Sequence, residues 1–220
     1  MYAMTITGIE RQKKNPRRVN IFLDGEFALG IHSDILIRFR LRRGDTITRD
    51  RLKEIEHAEE EYLARQTALR YLRGRLRTET ELRTKLISAE IPPATIDHLV
   101  AQLQDAGYID DRRFARAFVH DLLMRSPLGV RTLRQRLRRK GVSDAITAEM
   151  ISELAPEEIQ LRGAMQAAKK YLRRFEARRS SDIAIRREQK LGKYLESRGF
   201  EWEIISTVLR KLFRHPSTID

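Results

Sequence analysis

The side chains of this sequence best equipped for chemistry are cationic. Between Leu122 and Ser143 stand seven basic residues and no acid: Arg125, Arg131, Arg134, Arg136, Arg138, Arg139 and Lys140. From Lys169 to Lys190 there are nine basic residues against three acids, with Lys169, Lys170, Arg173 and Arg174 leading the run. Arg11, Lys13, Lys14, Arg17 and Arg18 make a third cluster, and Arg38, Arg40, Arg42 and Arg43 a fourth. Guanidinium forks grip phosphate oxygens bidentately, and ammonium groups add point charge. Such contacts give affinity and steep salt dependence but read no bases. Leu133 and Leu137 are spaced to point inward from one helix, which leaves Arg131, Arg134, Arg138 and Arg139 to share its outer faces. The candidate partner or nucleic-acid contacts are therefore Arg125, Arg131, Arg134, Arg138, Arg139, Lys140, Lys169, Lys170, Arg173 and Arg174. Each cluster has a plainer reading as a solvated helix face, and an acidic protein surface would be steered by the same charge.

Bond-making chemistry finds little support. His32, His57, His98, His120 and His215 include no pair at metal-ligand spacing, and there is no cysteine. Asp110-Asp111 looks like a carboxylate pair, but it follows Gly107-Tyr108-Ile109 and precedes a helical pattern, so it reads as a helix cap. Glycine-rich phosphate loops and nucleophile elbows are missing from the sequence. No catalytic residue, metal or cofactor is expected, and the reading is of a non-enzyme.

Composition agrees. Forty-four Lys and Arg against 31 Asp and Glu give 220 residues a formal charge of +13, and the pI is about 10.4. That excess points to a negatively charged partner. Apolar residues still make up 41 %, enough to bury a core. No apolar run approaches the roughly 18 residues of a membrane span, and the opening MYAMTITGIERQKK lacks a signal core. A soluble, cytoplasmic protein without a membrane partner is expected.

The elements that must carry these cations fall into zones. Residues 1–50 alternate in the manner of strands. Val19–Leu23 and Glu26–Ile31 flank Asp24-Gly25, the strongest short hairpin signal, because a type I′ turn needs positive φ. Thr5–Ile9 and Asp45–Ile47 can add strands, and His32–Phe39 fits one short helix. So small a β-rich module should lean on the helical chain beyond it. From Thr48, a plausible N-cap, the period turns helical. A linking helix over 51–66, or one abutting the next, leads to three tandem three-helix repeats at 67–109, 110–156 and 157–215.

The repeats show in their anchors. Leu82, Leu86 and Ile91 share their spacing with Leu133, Leu137 and Val142 and with Leu191, Leu195 and Phe200. The successive first anchors lie 51 and 58 residues apart, and an insertion within 173–187 accounts for the excess. Breaks fall at Glu90–Pro93, at Gly141 and at Gly199, where glycine suits a left-handed C-cap. Ser143 suits the next N-cap, and Thr78-Glu79-Thr80-Glu81 reads as a capping box. Units this small have marginal cores alone and should stack, giving a mainly α protein shaped as an elongated, curved rod behind the N-terminal hairpin module. Most aromatics, Tyr108 and Phe114 among them, fall at apolar positions and are assigned to the core. No paired-aromatic platform for single-stranded bases stands out.

The segment Leu103–Val119, read LQDAGYIDDRRFARAFV, resembles the core signature of RecX proteins, the regulators of the RecA recombinase. Thr80–Leu86 is similar to that family's first-unit helix, and Pro127-Leu128-Gly129 through Lys140-Gly141-Val142 to its second unit. The likeness covers about residues 60–215, and it departs from the pattern where Glu90-Ile91-Pro92-Pro93 replaces a glycine turn. It implies three helical repeats lying along the groove of a RecA–DNA filament. It further implies limits on filament growth, ATP hydrolysis, strand exchange and coprotease activity. The RecA filament is then the expected partner, with single- or double-stranded DNA beside it and the protein acting as a monomer. The competing expectation is a general DNA-binding protein that uses its basic helical faces without a RecA target.

Overall fold

A computed structural model describes residues 3–176 and 184–214. Residues 177–183, part of the expected insertion and of its basic run, lie outside the described residues, as does His215. The chain is mainly helical with a small antiparallel sheet at its N-terminus, as the patterning predicts. It divides into two compact units, Met1–Arg75 with Leu82–Tyr108, and Leu76–Glu81 with Ile109–Asp220.

In the first unit, β1 (Ala3–Arg11), β2 (Arg18–Leu23), β3 (Glu26–His32) and β4 (Thr46–Thr48) form a sheet in the order β3-β2-β1-β4. Asp24 and Gly25 both take positive φ, 49° and 91°, as the tight hairpin between β2 and β3 requires. α1 (Ser33–Arg38) crosses to β4, and Thr48 then caps α2 (Arg49–Leu72), its hydroxyl accepting from the Arg51 amide. α2 runs unbroken through residue 66, so the linking helix and the first helix of the first repeat are one element. The sheet does lean on it: Ile6, Ile21 and Ile31 share a core with Ile55 and Ala58 of α2. A polar clamp fixes the contact. The buried Glu59 accepts from Arg18 Nη1 and from the His32 amide, each at 2.7 Å, and His32 stacks on Tyr62. A buried carboxylate with both oxygens bonded is tolerated where an unpaired one would not be. α3 (Glu79–Ile87) and α4 (Pro93–Asp105) bury Leu82, Leu86, Ile96, Leu99 and Val100.

The second unit holds α5 (Asp111–Arg125), α6 (Val130–Arg139), α7 (Asp144–Leu154), α8 (Glu157–Glu176), α9 (Ala184–Ser197), α10 (Trp202–Leu209) and a π-helical turn to Arg214. One core gathers Phe114, Val119, Leu133, Leu137, Val142 and Met150. Another gathers Ala164, Ala168, Leu191, Leu195, Phe200 and Val208. The predicted anchors of the last two repeats are thus the core residues. Tyr108 is a correction: it is 59 % exposed, while Ile109 takes the buried place. Gly107, at φ 71°, reverses the chain, and the Tyr108 amide bonds back to Leu103 O, so the ring is turned outward.

The same joint occurs twice. Thr78 Oγ1 donates to Lys140 O at 2.7 Å and Thr80 Oγ1 to Gly141 O at 3.2 Å. At the equivalent places the Gly129 amide donates to Arg198 O at 3.0 Å and the Arg131 amide to Gly199 O at 3.1 Å. In each, the first turn of one helix rests on the open carbonyl end of another, which satisfies groups every helix terminus leaves unpaired. The fit needs glycine. A Cβ on Gly129 would sit 2.0 Å from the Gly199 backbone, and one on Gly141 or Gly199 would sit 2.2 Å from Thr80 or Thr132. Glu90 holds the same left-handed conformation, φ 60°, with its side chain exposed, so its Cβ has room.

Caps behave largely as read. Ser143 accepts from the Ile146 amide, and Asp110 from the Arg113 amide. Asp111 instead takes the Glu79 amide at 2.9 Å, so this carboxylate pair caps two different helices. The capping box is half formed. Thr78 accepts from the Glu81 amide, but the Glu81 carboxylate turns to Lys140 Nζ at 2.7 Å.

These contacts set the response to substitution. Gly129 has an ordinary extended backbone, so Gly129→Ala tests the joint rather than its own conformation. It should lower the unfolding free energy by about 1–3 kcal/mol, as overpacking does. Gly163→Ala in α8, whose Cβ would meet only Pro127 at 3.5 Å, should raise it by about 0.5–1 kcal/mol. Urea melts of both variants check this. Burial pushes the Asp111 carboxyl above its usual range. Glu79, Asp110 and Glu81 add to that by repulsion, and the Glu79 amide opposes it. Asp111 therefore takes its proton at higher pH in the folded chain than in the unfolded one. The stability linked to this proton is present below the ordinary carboxylate range and lost as pH rises through the raised value. Asp111→Asn keeps an acceptor for Glu79, so its stability relative to wild type should be greater at about pH 7 than at about pH 4, by paired urea melts.

Candidate functional site

The ten candidate cations sit on three stretches of the second unit: the end of α5, α6 with its C-cap, and the last turns of α8. α6 forms because Val130, Leu133 and Leu137 supply one buried stripe, and every other long side chain on it is polar. Arg131, Arg134 and Arg138 recur three and four apart along one flank, as the spacing predicts. They are not bare. Arg131 lies 4.0 Å from Glu196, Arg134 3.1 Å from Glu201, and Arg138 3.1 Å from Asp144. Lys140 is held by Glu81. The acids come from α3, α7, α9 and the residue before α10, so no local window of sequence displays them.

The other candidates are exposed and make no ion pair among the described residues. Arg139 stands on the opposite flank of α6, and Arg125 at the end of α5. Arg136, three before Arg139 on that flank, is also exposed and was not among the sequence candidates. The i, i+3 spacing to Arg139 is the signal that marks it.

α8 carries the cleanest arrangement. Ala164, Ala167 and Ala168 face the core, with Tyr171 and Leu172 packed beside them. Lys169, Lys170, Arg173 and Arg174 then fall together on the opposite arc, all exposed. Their place at the helix C-terminus is favoured by the backbone dipole, which stabilises cations there. Four like charges without intervening carboxylate are free to meet phosphate oxygens, or acids on a protein, at no cost in broken pairs.

Nothing in this arrangement assembles a catalytic centre. No group of three or more metal-ligating side chains occurs among the described residues. Among these same residues, no helix is long and apolar enough to cross a membrane.

Three family descriptions match the chain: the regulatory protein RecX N-terminal domain over residues 4–48, the RecX first three-helix domain over 64–103, and the RecX second three-helix domain over 110–151. A regulatory protein RecX of Bacillus pumilus is 30 % identical over 208 residues, which is 94 % of this chain and 77 % of the relative. One of Clostridium acetobutylicum is 29 % identical, over 95 % and 96 % of the two chains. A crystal structure of regulatory protein RecX superposes with a TM-score of 0.72 at 28 % identity, covering 93 % of this chain and 98 % of that one. RecX from Lactobacillus salivarius gives 0.66 at 26 % identity, covering 72 % and 99 %. With its sheet, its helical repeats and relatives that match it nearly end to end, this chain belongs to the RecX family of regulatory proteins.

Proposed function

We propose that this chain is a cytoplasmic, non-enzymatic modulator of the RecA recombinase that binds as a monomer along the RecA–DNA filament. Occupying the filament groove, it limits filament growth, and with it ATP hydrolysis, strand exchange and coprotease activity. The observation that carries this reading is the unpaired cationic arc Lys169, Lys170, Arg173 and Arg174 on α8, displayed by a member of a regulatory family. Several weak contacts along one chain reinforce each other through effective concentration, so a repeat protein needs no single strong site. Arg125 and Arg139 extend the contact. Arg131, Arg134, Arg138 and Lys140 join it only by releasing a carboxylate, at about 1 kcal/mol or less for exposed pairs.

A second reading, binding to DNA without a protein target, is favoured by the same arc, since phosphates alone would satisfy it. The two separate in one competition. Sub-stoichiometric protein should depress DNA-dependent ATP hydrolysis by RecA, and should prefer RecA-coated over bare single strands. Unchanged hydrolysis across a wide titration at low salt would overturn the first reading. Equal affinity for coated and bare strands would favour the second. Replacing Lys169, Lys170, Arg173 and Arg174 by Ala should flatten the log–log salt slope of binding by about 0.7 for each single-strand phosphate no longer neutralised, with helix content unchanged.

A further inference from the structure

A groove in the third repeat runs between α9 and α10, with a cavity volume of about 730 Å³ and a floor of Phe200, Ile205 and Leu209. Aligning Leu82, Leu133 and Leu191 puts Gly192 where the earlier repeats carry Arg83 and Arg134, and Trp202 where the second carries Asp144. In the first repeat Arg83 crosses to Asp97 of α4 at 2.5 Å. In the second, Arg138 crosses to Asp144 of α7 at 3.1 Å. In the third, glycine stands at the Arg83 position, Glu196 at the Arg138 position and an indole at the Asp144 position, so neither crossing can form.

Neither Gly192 nor Trp202 is explained by packing. A Cβ on Gly192 would meet only Leu209 Cδ1 at 3.6 Å, an ordinary contact, so a glycine that weakens the helix interior is kept without steric need. Trp202 is 69 % exposed, against the sequence expectation that most aromatics pack in the core, because it opens α10 beside the groove rather than beneath it. Exposed tryptophan beside an apolar floor marks a binding surface more often than a solvated one.

Charge selects the occupant. Glu188 and Glu196 line the groove, and Glu201 and Glu203 flank Trp202. Arg131 lies beside Glu196, which leaves Lys193 as the other cation of the lining. Four carboxylates around the indole repel a phosphate backbone and suit a cation stacked on the ring. We propose that this groove receives a protein segment presenting a bulky apolar side chain beside a lysine or arginine. The apolar group would lie over Gly192, and the cation would stack on Trp202. The proposal rests on the filament reading and assigns this face to the filament's protein rather than its nucleic acid.

Trp202 is the only tryptophan of the chain. It can be replaced biosynthetically by 5-hydroxytryptophan, which is excited apart from any tryptophan of a partner, and its acrylamide quenching followed. Quenching should fall several-fold on adding RecA–DNA filament and stay unchanged with bare oligonucleotide. Gly192→Leu should weaken filament binding about tenfold and spare binding to bare DNA. Co-sedimentation with unchanged quenching would overturn the groove assignment alone. Protection by bare oligonucleotide would overturn its assignment to protein. Failure of the wild-type chain to co-sediment with filament would overturn the filament reading and this proposal with it.

Discussion

Helix ends are where this molecule's connections are made. The carbonyls that close α6 and α9 need donors, and the first turns of α3 and α6 need acceptors. The fold satisfies both at once by seating Thr78 and Thr80 on the Lys140–Gly141 turn, and Gly129 and Arg131 on the Arg198–Gly199 turn. Burying such groups unpaired would cost more than one joint can return, so contact and satisfaction are obligatory partners. The two joints use different donors. Threonine hydroxyls reach across in the first, while in the second the backbones touch, which only Gly129 and Gly199 permit.

That arrangement shapes the charge as well. α6 begins against the end of α9, so Glu196 and Glu201 come within reach of Arg131 and Arg134, and the seating of Thr78 and Thr80 brings Glu81 to Lys140. A run with seven cations and no acid in sequence is thereby partly neutralised in space. α8 lies outside this scheme, and its terminal tetrad keeps an undiluted positive field. Electrostatic attraction of a polyanion is then strongest where no joint is made, and the same seating leaves the α9–α10 side free to differ from its counterparts.

Much of the scaffold was legible in the sequence because it depends on local rules. Alternation and Asp24-Gly25 announce the hairpin, leucines four apart announce the buried helix faces, and Thr48, Ser143 and Asp110 announce helix starts. The glycines at 141 and 199 were legible as C-caps, but their second duty, leaving room for another helix, was not. It depends on a neighbour some sixty residues away. The same distance hid the carboxylates that meet Arg131 and Arg134. Glu90, a departure from pattern in the sequence, becomes intelligible once its Cβ is seen to have space. Tyr108 and Trp202 misled because an aromatic at an apolar position does not reveal whether a cap has turned it outward. The α8 tetrad was legible as charge, yet its freedom from partners was not.

Amide hydrogen exchange at Gly129 and Arg131 tests the joint most directly. Amides at the start of a helix have no partner within it and ordinarily exchange fast. Here they donate to Arg198 O and Gly199 O, so both should be protected to a degree comparable with the interior of α6. Exchange at the rate of an unpartnered first turn, with α6 itself protected, would contradict the account.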